Sequence, residues 1–328
     1  MRIAVIVFVA FTFACRFCSA AATDDIYKLG PDSMIQPGVP TGKLAGPTTL
    51  ASKVFEGTTR NYWVYTPAQY DKSKPACLMI FQDGHAFLNP KGDYRIPTVF
   101  DNLIYRREMP VTIAVFINPG HHANQSEPTD SEWGDRTGNR PLEYNAIDDK
   151  YAKLVIDELL PELRKQYNIS DNPDDRAIAG ASSGAICAFT VAWQRPDQFR
   201  KVVSTIGSFT NIRGGDAYPD IILQTQPKPI RVFLQDGLND NRGLRGRGPN
   251  AKYDPRMDWH AQNIRMAAAL SARHYDFSYV WGLGTHSNKQ GGAIMPEMLR
   301  WLWRDYPRQD DPKDASDRGF LAPSTEPK

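Results

Sequence analysis

The stretch Arg176-Ala177-Ile178-Ala179-Gly180-Ala181-Ser182-Ser183-Gly184-Ala185-Ile186-Cys187-Ala188-Phe189 decides the fold. Its first part is a short apolar run of strand type that stops at Gly180. Its last part, from Ala185, is an apolar helix. A strand that turns directly into a helix needs small residues beside the turn, because no side chain fits there. Gly180 and Gly184 supply them on either side of Ser182. Such a turn holds Ser182 Oγ at the carboxyl edge of a sheet. It also aims the unpaired N–H groups of the helix start at whatever meets the serine. A serine that only caps a helix needs neither glycine. The stretch therefore predicts a nucleophilic Ser182, with the amide of Ser183 as one donor to a developing oxyanion.

Outward from this turn, strands and helices alternate. Leu50 to Phe55 and Arg60 to Thr66 read as a hairpin turning at Glu56 to Thr59. Cys77 to Phe81 and Val111 to Ile117 are continuous apolar runs, the pattern of strands covered on both faces. Ile147, Tyr151, Leu154, Val155, Leu159 and Leu163 mark a helix over Tyr144 to Tyr167, which Pro161 is expected to kink or end. Lys201 to Thr205, Ile230 to Leu234 and Phe277 to Trp281 read as strands. Ala185 to Trp193, Asp258 to Ala272 and Gly291 to Arg304 read as helices. The alternation predicts a mostly parallel central sheet with helices on both faces. With the strand–helix elbow, that is the α/β-hydrolase fold.

A serine nucleophile needs a base and an acid to orient it, and in this fold they follow in the order serine, acid, histidine. His260 and His274 fall within or at the end of a helical segment. His286 sits in Gly282-Leu283-Gly284-Thr285-His286-Ser287, a glycine-rich loop just past the last strand, and is the expected base. The acid belongs on the loop Gln235-Asp236-Gly237-Leu238-Asn239-Asp240. Both aspartates qualify; Asp236 can simply start the turn, and Asp240 is better placed to reach the His286 loop. The second oxyanion donor is expected from Gln82-Asp83-Gly84-His85, at the amide of His85.

Length and composition set the bounds. The chain has 328 residues, 41% hydrophobic and 11% aromatic, with a net charge of only +2. No strong charge draws it to nucleic acid or an anionic membrane. Arg2, an apolar run over Ile3 to Ala14 and small residues at Ser19 to Ala22 read as a signal peptide over residues 1–22. A lipoprotein anchored at Cys15 is disfavoured, because Thr12-Phe13-Ala14 is a poor lipobox. Export as a secreted or periplasmic protein, without a membrane span, is the expectation. Residues 23–47 read as an extended arm on the domain surface, 48–306 as the catalytic domain and 307–328 as a disordered tail. Cys77 and Cys187 are expected to be buried free thiols.

The segment from Asn118 to Tyr144 is long for a loop and is expected to cover the site, with Trp133 as a platform for a sugar or aromatic ring. Arg140 and Glu143 read as an ion pair. Arg140 is also a candidate substrate contact, as is Arg245 in the basic stretch Asn241 to Asn250. His121 and His122 are adjacent and lack ligand spacing, so no metal is expected, and no cofactor.

Six ordered stretches resemble the esterase D and feruloyl-esterase group, which includes the enterochelin-esterase-like proteins. They are F-Q-D-G-H (81–85), N-R-P-L-E-Y (139–144), E-L-L-P-E-L-R-K-Q-Y (158–167), G-A-S-S-G (180–184), F-L-Q-D-G-L-N-D (233–240) and G-L-G-T-H (282–286). The resemblance covers Lys53 to Tyr306. It implies a Ser-Asp-His triad and cleavage of carboxylic esters, often on polysaccharides or siderophores. The family's G-x-x-D element matches Gly237 to Asp240 and so implies Asp240 as the acid. Many relatives carry His-Gly where this chain has Asp83-Gly84, as enterochelin-esterase-like members tend to. The expected substrate is a small-molecule or carbohydrate ester. An acyltransferase or peptidase on the same triad is the alternative. A non-catalytic binding protein of this fold is expected to have lost the serine, acid or histidine, and all three are present.

Overall fold

In the computed structural model, which describes residues 23–125, 138–245 and 250–306, the run at Cys77 is a strand with every residue buried. Leu78 and Ile80 enter one hydrophobic cluster, while Cys77, Met79 and Phe81 enter another. A period of two divides a strand in this way when both its faces are covered. The strands are β1 (Lys43–Ala51), β2 (Thr58–Thr66), β3 (Cys77–Gln82), β4 (Thr112–Ile117), β5 (His121–His122) and β6 (Arg176–Ala181). They continue with β7 (Lys201–Thr205), β8 (Arg231–Gly237), β9 (Arg242–Arg245), β10 (Lys252–Asp258) and β11 (Asp276–Gly282).

The main sheet runs β1-β2-β4-β3-β6-β7-β8-β11, with β5 beside β2; β9 and β10 form a separate hairpin. Pairings at the β1 side, β1 with β2 and β2 with β4, are antiparallel. From β4 to β11 every pairing is parallel. On one face Ile178, Val202 and Leu234 pack with Ile186 and Phe189 of the helix Ser183–Gln194 and with Met266 and Leu270 of the helix Trp259–Ala272. On the other, Phe81, Phe116 and Val203 pack with Phe100 and Leu103 of the helix Ile96–Tyr105 and Met298 and Leu302 of the helix Met295–Leu302. Each fully buried side chain of this size contributes about 1.5–3 kcal/mol. The architecture is the α/β one expected. Cys77 and Cys187 are free and buried, and they belong to clusters on opposite faces of the sheet.

Two elements differ from expectation. The first hairpin strand is Lys43–Ala51, not Leu50 to Phe55, so the end of the presumed arm belongs to the sheet. Gly46-Pro47 sits at a register shift between Ala45 and Thr48. On an edge strand a bulge accommodates proline, which cannot donate to the ladder, and pairing resumes beyond it at Thr48. The helix expected over Tyr144 to Tyr167 is instead two: Asn139–Tyr144, and a second running from Lys150 to Arg164 past Pro161. Its middle, Leu154–Leu159, is a π turn, and Pro161 enters the first turn of the α-helical piece that follows. Inside a continuing helix the proline ring cannot sit against the carbonyl four residues back, and the change of winding falls at that point. The helices Ile96–Tyr105 and Tyr218–Gln224 and the β9–β10 hairpin had no counterpart in the sequence reading. The expected signal peptide and C-terminal tail lie outside the described residues. Among the described residues no helix is long and apolar enough to cross a membrane.

Candidate active site

β6 ends at Ala181 and the helix Ser183–Gln194 starts two residues later, so Ser182 alone makes the corner. Its backbone is at φ 55°, ψ −121°, a conformation that costs a non-glycine residue about 1–3 kcal/mol. Two neighbours of the elbow hold it there: Ser182 N–H donates to Thr205 O (3.0 Å), and Ser208 N–H donates to Ser182 O (3.1 Å). A Cβ on Gly180 would lie 2.2 Å from the carbonyl of Gly184, so the corner closes only around a glycine.

Ser182 Oγ lies 2.8 Å from His286 Nε2, and His286 Nδ1 lies 2.6 Å from Asp240 Oδ1. The Asp240 side chain is fully buried and that of His286 is 25% exposed. The two loops bearing them touch backbone to backbone. Leu238 N–H donates to Gly282 O (2.8 Å) and Asn239 N–H to Gly284 O (3.1 Å). A Cβ on Gly237 would sit 2.1 Å from Gly284 O, which explains the glycine in F-L-Q-D-G-L-N-D.

Asp236, the other candidate acid, has other partners. Its carboxyl accepts from Gly237 N–H (2.7 Å) and Asn263 Nδ2 (2.9 Å), and His260 Nδ1 is 3.9 Å away. Burial, followed by the charge of Asp240, pushes the Asp236 carboxyl well above the usual carboxylate range.

The His286 loop is also held from the N-terminal arm. Asp24, itself buried, accepts from Thr285 N–H (2.8 Å) and from the Thr285 hydroxyl. Tyr27 OH accepts from Leu283 N–H at 2.6 Å. Nothing in the arm's composition marked this contact.

At the opposite wall, Asp83 has a left-handed backbone (φ 54°, ψ 52°), and Gly84 is pressed against the backbone of Phe116 and Ile117. Arg140 grips the Asp83 carboxylate with Nε (2.7 Å) and Nη2 (2.6 Å). Burial works against the Arg140 charge, but Asp83 more than offsets it and the guanidinium pKa is raised. Glu143 instead accepts from Arg60 (2.8 Å), both side chains buried. The R-x-x-E residues therefore have different partners, which corrects the expected ion pair. The amide of His85 donates to Asn118 Oδ1 at 3.2 Å, and Ser183 opens its helix, where an N–H has no intrahelical acceptor.

Two residues at the site went unnoticed in the sequence. Ser208 Oγ lies 3.1 Å from Ser182 Oγ and accepts from Trp259 Nε1 at 3.1 Å. The Trp259 ring meets the His286 ring edge-on, 5.4 Å between centroids. The only available signal was position, because Ser208 follows β7, the strand next to the elbow strand. Arg245 closes β9 in register with Lys252. Trp133 lies outside the described residues. A cavity of about 680 Å³ lined by Lys201, Arg231 and Asp276 opens at the starts of β7, β8 and β11, the sheet edge opposite Ser182.

A family model described as "Putative esterase" matches residues 52–302. The uncharacterized protein YbbA of Bacillus subtilis is 18% identical over 184 residues, 56% of this chain and 70% of that protein. The enterobactin esterase of Shigella flexneri superposes with a TM-score of 0.60 at 19% identity, over 83% of this chain and 62% of its own. This chain thus spans under two thirds of that protein's length. A ferulic acid esterase of the anaerobic fungus Anaeromyces mucronatus gives a TM-score of 0.61 at 19% identity, over 84% of this chain and 98% of its own. The family match extends from β2 through β11 and takes in the loops bearing Ser182, Asp240 and His286, so this chain belongs to the esterase family that the model describes, on an α/β fold.

Proposed function

We propose that the protein is an exported serine esterase that works through an acyl-enzyme on Ser182. The observation that carries this reading is the contact line from Ser182 Oγ to His286 Nε2 (2.8 Å) and from His286 Nδ1 to Asp240 Oδ1 (2.6 Å). A buried carboxylate is an acceptor only, so it fixes the imidazole proton on Nδ1 and leaves Nε2 as the base. Ser182 Oγ attacks the ester carbonyl as its proton passes to Nε2. The tetrahedral intermediate collapses, the C–O bond to the alcohol breaks, and His286 returns the proton to the leaving oxygen. Water then repeats the sequence on the acyl-enzyme and releases the acid. The oxyanion is met by the amides of Ser183 and His85. The His85 amide is now spent on Asn118 at 3.2 Å, and a full negative charge is the stronger acceptor.

The substrate class is an acyl, acetyl or feruloyl ester on carbohydrate, or a siderophore-type ester. The ferulic acid and enterobactin esterases of the same fold support this range. Export rests on the signal-type composition of residues 1–22. Hydrolysis of p-nitrophenyl acetate and methyl ferulate by the processed protein and by Ser182→Ala tests the reading. The expected result is turnover that falls by at least about 10³-fold in the variant. Equal turnover by the two proteins excludes Ser182 as nucleophile, and preferential transfer to added alcohols rather than water makes the protein an acyltransferase.

A further inference from the structure

We propose that Ser208 is a further catalytic residue, whose hydroxyl donates a hydrogen bond to Ser182 Oγ in a direction set by Trp259. The proposal rests on Ser182, His286 and Asp240 acting as above. An indole nitrogen only donates, so at 3.1 Å Trp259 Nε1–H must give its proton to Ser208 Oγ. At the other end a carboxylate only accepts, so Asp240 takes His286 Nδ1–H, and Nε2 must accept from Ser182. Ser182 has then no proton left for Ser208. The 3.1 Å contact between the two hydroxyls is therefore filled by the proton of Ser208. The order is Trp259 N–H to Ser208, Ser208 O–H to Ser182, Ser182 O–H to His286, and His286 N–H to Asp240.

Ser208 is 1% exposed, so water does not compete for its hydroxyl. Its own amide is bonded to Ser182 O (3.1 Å), which ties its position to the elbow. The Trp259 ring that directs it also lies against His286 (5.4 Å). As Ser182 loses its proton to Nε2, charge builds on Oγ, and a hydrogen bond to an ionised acceptor is roughly twice as strong as a neutral one. Once Oγ is an ester oxygen it is a poor acceptor. The bond from Ser208 is thus strongest while Oγ is forming or leaving, which is where a contact lowers a barrier. Ser208 keeps its proton throughout, and no bond to it is made or broken.

The test is the second-order rate of labelling by a small fluorophosphonate, with the kcat and KM for p-nitrophenyl acetate and a thermal melt for each variant. Ser208→Ala is expected to label about 10- to 100-fold more slowly, with kcat reduced and KM little changed. Ser208→Thr restores the hydroxyl and is expected to recover most of the rate. Trp259→Phe keeps a ring against His286 without the donor. It is expected to slow labelling less than Ser208→Ala does, and to add nothing when the two are combined. Labelling of Ser208→Ala at the wild-type rate overturns the role of Ser208 and leaves the triad standing. Equal losses in Ser208→Ala and Ser208→Thr, with a lowered melting temperature, also overturn it by showing that packing was responsible. Failure of the wild type to label, or labelling of Ser182→Ala at the wild-type rate, overturns the triad and the proposal with it.

Discussion

Asp236 and Asp240 share one loop and are both buried, yet their neighbours differ. Asp240 faces the imidazole of His286, while Asp236 is enclosed by Asn263 and the Gly237 amide, and burial beside Asp240 favours its neutral form. A carboxyl whose folded pKa is raised keeps a proton that the unfolded chain releases above about pH 4. Folding stability from this group therefore falls as pH rises from the unfolded pKa toward the folded one. Asparagine at 236 mimics the neutral acid. Asp236→Asn is expected to keep kcat within about tenfold of wild type, and its melting temperature is expected to gain on the wild type as pH rises above about 4, the unfolded carboxyl value. Asp240→Asn is expected to lose about 10³- to 10⁴-fold in kcat. Equal activity losses in the two variants make Asp236 a participant. From sequence, Ser182, His286 and Asp240 were legible because each sits in a glycine-bearing turn with few uses other than bringing loops together. The choice between the two aspartates needed the direction of a side chain. Ser208 and Trp259 were illegible because their meaning depends on β7 lying beside β6 and on the Trp259–Ala272 helix reaching the elbow.

The N-terminal arm is an element whose contribution exceeds its secondary structure. Asp24 satisfies both the amide and the hydroxyl of Thr285, and Tyr27 holds Leu283, so the loop bearing His286 is braced at two points. Asp24→Ala leaves those donors without their partner, at about 1–3 kcal/mol. The expected outcome is a lower melting temperature together with a kcat drop of about 3- to 10-fold, because a loosened His286 spends less time on Ser182. Asp24→Asn retains an acceptor and is expected to recover part of both. Wild-type kcat in Asp24→Ala removes any positioning role for the arm. The arm itself was legible, but its grip on the His286 loop was not, because the arm has no periodicity, and β1 escaped because Gly46-Pro47 reads as a break until its bulge is seen. The long helix was read too far toward its start, since its apolar stripe continues into Tyr144 of the separate helix before it.

Across the whole molecule, the mostly parallel sheet separates two hydrophobic layers, with one cysteine in each. Cys77 and Cys187 cannot meet without unfolding, and burial pushes both thiols up in pKa. A reductant is expected to leave the melting temperature unchanged, and iodoacetamide is expected to modify neither thiol until the protein is denatured. A fall in melting temperature on reduction contradicts this arrangement. The layered architecture was readable because alternating apolar runs and helices admit few other packings. The bond between Asp24 and Thr285 has a further consequence, in time. Its partners are 261 positions apart, so a chain made from its N-terminus carries Asp24 unpaired through most of its synthesis. The brace closes only after all of β1 to β11 has emerged, and ester hydrolysis at full rate becomes a property that a growing chain acquires late.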